Sequence, residues 1–512
     1  MPDAFEGELV ERPPTEWQNQ PQQPYQPPPQ QQQPHGAGYG YPQQQGGYPQ
    51  QPPSGGYVRV PLFPDAPPPP PRRSTGKLVA LTILVTCLAL VVAGGGFVAY
   101  RLYTSQAHDM TAAEEYAISP QRVYDNLGTA LKEQNEVAYL ECFQGAETKR
   151  RARILYRNLV KIPFQVARYE EIGTPYQGNV AFVHQVQGVD VAPVYEQYKF
   201  VFATRSDDSE VITNFGGSAE PVRTLSETYF PAPWDMYANM SVARKGNVVV
   251  IADAEHKADM DRFAPYIARG AEDDAAAWNR AHPVGDRTSK GALVVLESDR
   301  KAYDKLYTGM TARHDSLEAG ANLALPGFKA NVGGAVTGLT GGSRIVMDSS
   351  LSHFTSTAWR QGVTEISRHE IAHAMAATYT RSLVVSPATW VAEGFASYME
   401  LRDNATRARY LNRALEGYHF GLGSEPPNDD SEFYSSDSKE RNINYALSRL
   451  ALQYMVKKYG DKAAFEFVAA EYSSPTKEEG NFQKYLGVDR GTFWDGWKGY
   501  VRAEVPGLGT AT

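Results

Sequence analysis

The sequence predicts an α+β protein that begins with a disordered tail, crosses a membrane once, and continues into a small α+β domain and a larger domain of mixed sheet and helices. Three features lead to this prediction: a Pro/Gln-rich stretch at 1–77, an uncharged apolar run at 78–100, and alternating helical and strand patterns from residue 116 onwards. Apolar residues recur about every 3.6 positions in a helix and about every two in a strand. The chain is therefore predicted to have several parts of very different character.

The first 77 residues consist mainly of Pro, Gln, Gly and Tyr. Few branched apolar side chains are present to offset the entropy lost on ordering the chain, so we expect a disordered tail. The Pro-rich stretch at 65–73 fits either a plain spacer or a polyproline segment that docks into an aromatic-lined groove of a cytoplasmic partner. No activity is assigned to the tail.

The apolar run at 78–100 is long enough to cross a hydrocarbon core of about 30 Å as a helix. A secretory signal would have a shorter core near the terminus, so we expect an uncleaved anchor in the lipid bilayer. Basic residues are denser before this run than after it: Arg72, Arg73 and Lys77 against Arg101. Positive charges favour the cytoplasmic side. The sequence thus predicts a single-pass protein of the cell membrane, with a cytoplasmic tail, a linker at 101–115 and an extracytoplasmic part.

Charge and cysteine content narrow the kinds of site that the chain can form. A net charge of -8 gives no electrostatic reason to expect nucleic acid, which favours a basic surface. The two cysteines, Cys87 and Cys142, are too few for a disulfide framework. A metal site would therefore be built from histidine and carboxylate, which are ligands that suit zinc.

Residues 116–222 are predicted to form the small α+β domain. Helical spacing is followed by strand-like patterns, with helices at 123–143 and 147–169 and strands at 179–189, 196–205 and 209–215. This order of elements resembles the cystatin-like, nuclear-transport-factor-2-like fold. The resemblance leaves open whether the domain binds a ligand.

Residues 223–505 are predicted to form the larger domain, and 506–512 a short carboxyl-terminal tail. The predicted elements are two strands within 234–255, a helix at 259–282, and a strand at 292–299 with another helix after it. The segment 332–350 alternates short apolar runs with Gly pairs, which predicts an antiparallel hairpin.

The most informative residues are HEIAH at 369–373, in a stretch that contains neither Gly nor Pro after Gly362. Residues four positions apart share one face of a helix. His369 and His373 can therefore bind one metal ion, while Glu370 can reach a water molecule on that ion. Chance alone produces such a motif in roughly one chain per hundred of this length. The motif therefore indicates a metal site only if a third ligand accompanies it.

A second predicted helix, SPATWVAEGFASYMEL at 386–401, supplies that ligand. Ser386 can cap this helix, Pro387 can occupy its first turn, and Glu393 projects from its middle. The intervening residues are enough for a turn that returns Glu393 to the metal. Two histidines and one carboxylate leave an open position on a single Zn²⁺ ion, which is typical of catalytic zinc.

HEIAH followed by WVAEGFASYME resembles the HExxH and WxxEGxAxYxE pair of the gluzincin peptidases, in the aminopeptidase-N-like and peptidase-MA-like families. The resemblance covers about 225–505 and implies a thermolysin-like domain in which His369, His373 and Glu393 bind zinc. Glu370 would be the general base and then the proton donor. The predicted hairpin would line the substrate cleft, with substrate added to its edge as a strand.

Two further side chains are candidates in this region. Tyr445, in a predicted helix at 442–460, matches the family tyrosine that hydrogen-bonds the oxyanion, although most helical tyrosines simply pack. Glu400 follows Glu393 by two helical turns, where it can either accept a hydrogen bond from a ligand histidine or lie exposed at the helix end. The acidic, turn-rich segment 421–442 is interpreted as a solvated connector, with a mobile lid as the alternative.

These features predict a membrane-anchored zinc metallopeptidase that hydrolyses a peptide or protein substrate outside the cytoplasmic membrane. Aminopeptidases of the resembled family carry an upstream GxMEN segment whose glutamate holds the substrate amine, whereas this chain has GGAVTGLTGGSRIVMD. We therefore expect cleavage within a chain, and an aminopeptidase with another amine-binding group is one alternative. The other is a non-catalytic cell-envelope binding protein that retains its metal site, although such a protein would not need Glu370.

Overall fold

The structure is a computed structural model of the 512-residue chain. It describes residues 116, 119–173, 178–216, 232–281, 287–307, 319–328, 336–381, 386–416, 420–505 and 508. The predicted tail at 1–77, the predicted membrane span at 78–100 and the linker at 101–115 lie outside these residues, as does nearly all of 506–512. Within the described ranges, no helix has both the length and the apolar character needed to cross a membrane.

The amino-terminal part of the described chain contains three helices followed by four strands. Their bounds are α1 Pro120–Lys132, α2 Glu136–Glu141, α3 Ala146–Leu159, β1 Phe164–Glu171, β2 Asn179–Val186, β3 Val194–Thr204 and β4 Glu210–Gly216. Helices precede strands as predicted, but the helix predicted at 123–143 is divided between α1 and α2. The division occurs at Asn135, whose side chain accepts a hydrogen bond from the Ala138 amide and so caps α2.

The sequence places residues 164–169 at the end of a helix, and this prediction is wrong. These residues belong to β1, which pairs antiparallel with β2. The preceding helix, α3, ends at Leu159, shortly before Pro163. A proline ring cannot continue a helix, and it also disfavours helical geometry in the residue before it.

The rest of the described chain alternates strands with helices and then becomes entirely helical. Its strands are β5 Met240–Lys245, β6 Val248–Asp253, β7 Ala292–Glu297, β8 Gly320–Phe328 and β9 Val336–Asp348. Its helices are α4 Pro233–Met236, α5 Lys257–Ala281, α6 Arg300–Tyr307, α7 Ser352–Thr355, α8 Trp359–Ala377, α9 Thr389–Leu401, α10 Ala405–Glu416, α11 Asp430–Phe433, α12 Ser438–Tyr459, α13 Asp461–Ser473, α14 Glu478–Asn481 and α15 Arg490–Glu504.

The segment 332–350 does not form a hairpin by itself, so that prediction is wrong. Its described residues contain one strand, β9, which pairs antiparallel with β8. A Cβ at Gly341 would lie 2.8 Å from Val194 Cγ1, and a Cβ at Gly342 would lie 2.1 Å from Asp190 Oδ1. The two glycines therefore allow Asp190 and Val194, from the amino-terminal part of the described chain, to lie close to β9. They do not mark a turn.

The nine described strands form one sheet with the order β1-β2-β3-β8-β9-β7-β6-β5, and β4 pairs with β3. Strands β6, β7 and β9 are parallel, and the remaining pairs are antiparallel. The two halves of the sheet meet at one residue pair, Val194 in β3 and Gly327 in β8. The predicted boundary at 222 lies outside the described residues, yet Phe182 and Trp234, on its two sides, share one buried cluster.

A larger core lies where the carboxyl-terminal helices pack on the sheet. Ile371 in α8 and Phe395 in α9 are buried in it, together with Trp278 of α5 and Leu450 of α12. Complete burial of such a side chain stabilises the fold by roughly 1.5–3 kcal/mol. This packing holds α8 and α9 against each other.

Candidate metal centre

Two packed helices, α8 and α9, carry the candidate ligands. His369 and His373 project from the same face of α8 because they lie four positions apart. Glu393 projects from α9, and the glycine after it allows close helix packing. A Cβ at Gly394 would come 2.6 Å from the Ser448 carbonyl oxygen of α12, so a larger residue would push α9 away from α12.

The start of α9 differs from the prediction. The helix begins at Thr389 with Ala388 as its N-cap, so the predicted roles of Ser386 and Pro387 in its first turn are wrong. The Thr389 amide instead donates a 3.1 Å hydrogen bond to the carbonyl oxygen of Asn428. A distant segment of the chain thus satisfies an amide at the helix start that a local cap would otherwise satisfy.

The ligand atoms of His369, His373 and Glu393 form a nearly equilateral triangle. The two Nε2 atoms lie 3.3 Å apart, and Glu393 Oε2 lies 3.3 Å from His369 Nε2 and 3.4 Å from His373 Nε2. A tetrahedral zinc ion with bonds of about 2.05 Å requires its ligand atoms to be about 3.3 Å apart. The three side chains therefore fit one zinc ion that retains an open fourth position.

Charge in this region also favours a cation. The Glu393 Oε2 atom is buried and accepts no hydrogen bond from any residue in the described part of the chain. Burial alone would raise the pKa of Glu393, but His373 and His369 hold it well below its usual value. Burial would likewise lower the pKa of His369, whereas Glu393 and Glu400 raise it well above its usual value. Such a site attracts a proton or a metal cation, and a bound cation displaces the proton.

Glu370 is buried beside the triangle, with only 4% of its surface exposed. Burial raises the pKa of Glu370 above its ordinary value, against the opposing effect of His369 and His373. A carboxylate with a raised pKa is a better proton acceptor near neutral pH. Strand β8 passes very close to it, because a Cβ at Gly320 would lie 2.6 Å from both Cγ and Oε1 of Glu370.

The structure decides between the two interpretations of Glu400. Its Oε2 atom lies 3.2 Å from His369 Nδ1, and its side chain is 24% exposed. A carboxylate at Nδ1 holds the ring in place and directs Nε2 towards the metal position. Glu400 is therefore a partner of a candidate ligand, and the alternative of an exposed helix-end carboxylate is wrong.

Tyr445 lies at the border of the same centre. Its ring centroid is 6.2 Å from that of His369, and its ring packs edge to face on Phe433 at 5.1 Å. The structure thus brings Tyr445 close to the candidate ligands. Its role at an oxyanion stays a prediction.

Tyr434 is a residue of this centre that the sequence analysis missed. Its hydroxyl donates a 2.5 Å hydrogen bond to Glu393 Oε1, across 41 positions of sequence. Tyr434 belongs to the segment 421–442, and the interpretation of that whole segment as a solvated connector is wrong because Phe433 is fully buried. The signal in the sequence was the aromatic pair Phe433 and Tyr434 within an otherwise polar stretch.

No protein-family model matches this chain, and no curated protein sequence matches it. Among solved structures, it is similar to a mutant two-domain M1 zinc metallopeptidase bound to L-arginine, with 14% identity, coverage of 59% of this chain and 60% of that chain, and a TM-score of 0.29. It is also similar to an M1 zinc metallopeptidase from Deinococcus radiodurans, with 14% identity, 60% coverage of each chain and a TM-score of 0.26. The chain thus spans about 60% of the length of these enzymes.

Proposed function

We propose that this chain is a zinc-dependent metallopeptidase that hydrolyses internal bonds of a peptide or protein outside the cytoplasmic membrane. One observation carries the proposal: His369, His373 and Glu393 form a ligand triangle of zinc dimensions, with the buried carboxylate of Glu370 next to it. A site that only holds metal has no need of an additional buried carboxylate.

The chemistry divides among the side chains of the site. When bound, zinc supplies a Lewis acid that lowers the pKa of a water molecule at its open position towards about 7. Glu370 accepts a proton as the water oxygen bonds to the peptide carbonyl carbon, and it returns that proton to the amine as the C–N bond breaks. Glu400 keeps the His369 ring oriented through the 3.2 Å contact to Nδ1. The Tyr445 hydroxyl donates to the oxygen on which negative charge develops.

An extended substrate has a suitable place beside Glu370. Strand β8 begins at Gly320. On the edge of β8 that faces away from β9, Gly327 is the only described residue that pairs, and its partner lies in β3. The first part of β8 can therefore accept a further strand. The sequence of β8, GANLALPGF, contains no carboxylate that would hold a free substrate amine. This supports cleavage within a chain over removal of the first residue.

The proposed location rests on the sequence. The apolar run at 78–100 and the basic residues before it favour a single span with the carboxyl-terminal part outside the cytoplasm. The bilayer would then be a permanent partner through one helix, and the substrate would be a peptide or protein of the extracytoplasmic space.

The full-length protein and Glu370→Gln test the function. Bound zinc is measured by elemental analysis, and cleavage of an internally quenched peptide library is followed by fluorescence and mass spectrometry. We expect one zinc ion in both proteins and a loss of about 10²- to 10⁴-fold in kcat/KM for the variant, the usual contribution of a general base. If the protein binds zinc but the Glu370→Gln change removes no hydrolysis, the chain is a non-catalytic binding protein. Release of single amino acids would show an aminopeptidase.

A further inference from the structure

We propose that Tyr434 is a positioning residue for the zinc ligand Glu393, held in place by residues 428–435, which we call the strap. The strap contains the short helix α11, lies in the chain between α10 and α12, and is hydrogen-bonded to the start of α9. The inference rests on the proposed zinc site, and it does not depend on the proposed peptidase activity.

The hydrogen bond from Tyr434 determines how Glu393 presents its carboxylate. The Tyr434 hydroxyl donates to Oε1 at 2.5 Å, while Oε2 lies between the Nε2 atoms of the two histidines. With one oxygen engaged, the carboxylate offers a single oxygen to the metal and cannot rotate without losing the bond. Carboxylate ligands of metals are commonly oriented by such hydrogen bonds.

The acceptor of this hydrogen bond is a carboxylate oxygen, and hydrogen bonds to ionised acceptors are the stronger kind.

The strap is fixed to α9 one helical turn before Glu393. The Thr389 hydroxyl donates to Asp430 Oδ1 at 2.8 Å, and the Thr389 amide donates to the Asn428 carbonyl oxygen at 3.1 Å. Within the strap, Asp429 accepts hydrogen bonds from the amides of Ser431 and Glu432 and so begins α11. The amino-terminal end of the strap consequently moves with the helix that carries the third ligand.

The strap is also fixed to α12 next to Tyr445. The Asn444 side chain donates to the carbonyl oxygens of Glu432 and Phe433 at 3.2 and 3.0 Å. The Arg441 guanidinium donates to the Ser435 carbonyl oxygen at 2.8 Å. Because Phe433 also packs on the Tyr445 ring, one short segment fixes the orientation of Glu393 and the position of Tyr445 together.

The zinc affinity of full-length protein tests this inference, measured by competition with a chromophoric chelator. Tyr434→Phe removes the hydroxyl and keeps the ring. We expect its zinc affinity to fall by about 10- to 100-fold, the usual effect of losing an outer partner of a ligand. The zinc-free variant should still unfold cooperatively, at a temperature lowered by the loss of one buried hydrogen bond. The matched control is Tyr124→Phe, because the buried Tyr124 hydroxyl has no hydrogen-bond partner among the described residues; this variant should bind zinc as the wild type does.

Three outcomes separate the possible failures. Wild-type zinc affinity in Tyr434→Phe overturns the inference and leaves the zinc site intact. Absence of zinc binding in the wild type overturns the proposed zinc site itself. If Tyr434→Phe does not fold, Thr389→Val provides the test. This variant removes the hydrogen bond from the Thr389 hydroxyl to Asp430 and keeps the tyrosine at position 434. We then expect a smaller loss of affinity, of several fold, and unchanged affinity in this variant would overturn the inference.

Discussion

Replacement of Gly320 by alanine should separate catalysis from metal binding. The new Cβ would lie 2.6 Å from Cγ and Oε1 of Glu370 and 2.8 Å from its Cδ. Since non-bonded carbon atoms prefer separations of about 3.5 Å, the Glu370 side chain must move by about 0.9 Å or change rotamer. The closest atoms belong to Glu370, so the zinc ligands should stay in place.

The displacement of Glu370 is large enough to lower the rate of hydrolysis. Misplacement of a catalytic group by about 1 Å can lower the rate by about 10²-fold, which corresponds to about 2.7 kcal/mol of transition-state stabilisation. We therefore expect kcat/KM of Gly320→Ala to fall by about 10²-fold. The free energy of unfolding should fall by about 1–3 kcal/mol, because the added Cβ overpacks a buried site even though alanine can adopt the backbone conformation of Gly320.

Three measurements decide this prediction: peptide hydrolysis by the zinc-loaded protein, zinc content, and the thermal unfolding midpoint. Gly499→Ala in α15 is the matched control, because a Cβ there meets no atom of the described residues within 4 Å. It should retain full activity. Near wild-type kcat/KM in a folded, zinc-loaded Gly320→Ala protein would refute the placement of Glu370 as the base beside β8.

Two further predictions concern α12 and the distant residue Glu471. Tyr445→Phe should lower kcat by about 10²- to 10³-fold with zinc retained; a change of less than about threefold in steady-state kinetics would mean that the hydroxyl does not act at the oxyanion. Burial raises the pKa of Glu471 to about 8, so the folded state binds its proton more tightly than the unfolded chain. Stability should therefore fall as pH rises from about 5 to 8, by up to about 5 kcal/mol. In urea unfolding, the free energy of unfolding of Glu471→Gln should equal that of the wild type at pH 5 and exceed it at pH 8. Equal free energies at pH 8 would contradict the raised pKa of Glu471.

Features that depend only on neighbouring residues could be predicted from the sequence. The spacing of His369 and His373 brings both rings to one side of a helix because backbone geometry repeats about every 3.6 residues. The spacing and helical pattern around Glu393 were enough to predict a third ligand on a second helix. The helical and strand patterns likewise predicted most elements of the α+β fold. The predictions for the tail and the membrane span concern residues outside those that the structure describes.

Tertiary structure alone decided the contacts between distant parts of the chain. Glu400 had two interpretations because a helical pattern gives the face of a residue but not what the neighbouring helix places opposite it. The Gly341 and Gly342 pair suggested a turn, whereas it serves a close approach to Asp190 and Val194. Tyr434 reaches Glu393 across 41 positions. Local patterns are set by the geometry of a few consecutive residues, whereas such contacts exist only after the helices and the sheet have packed.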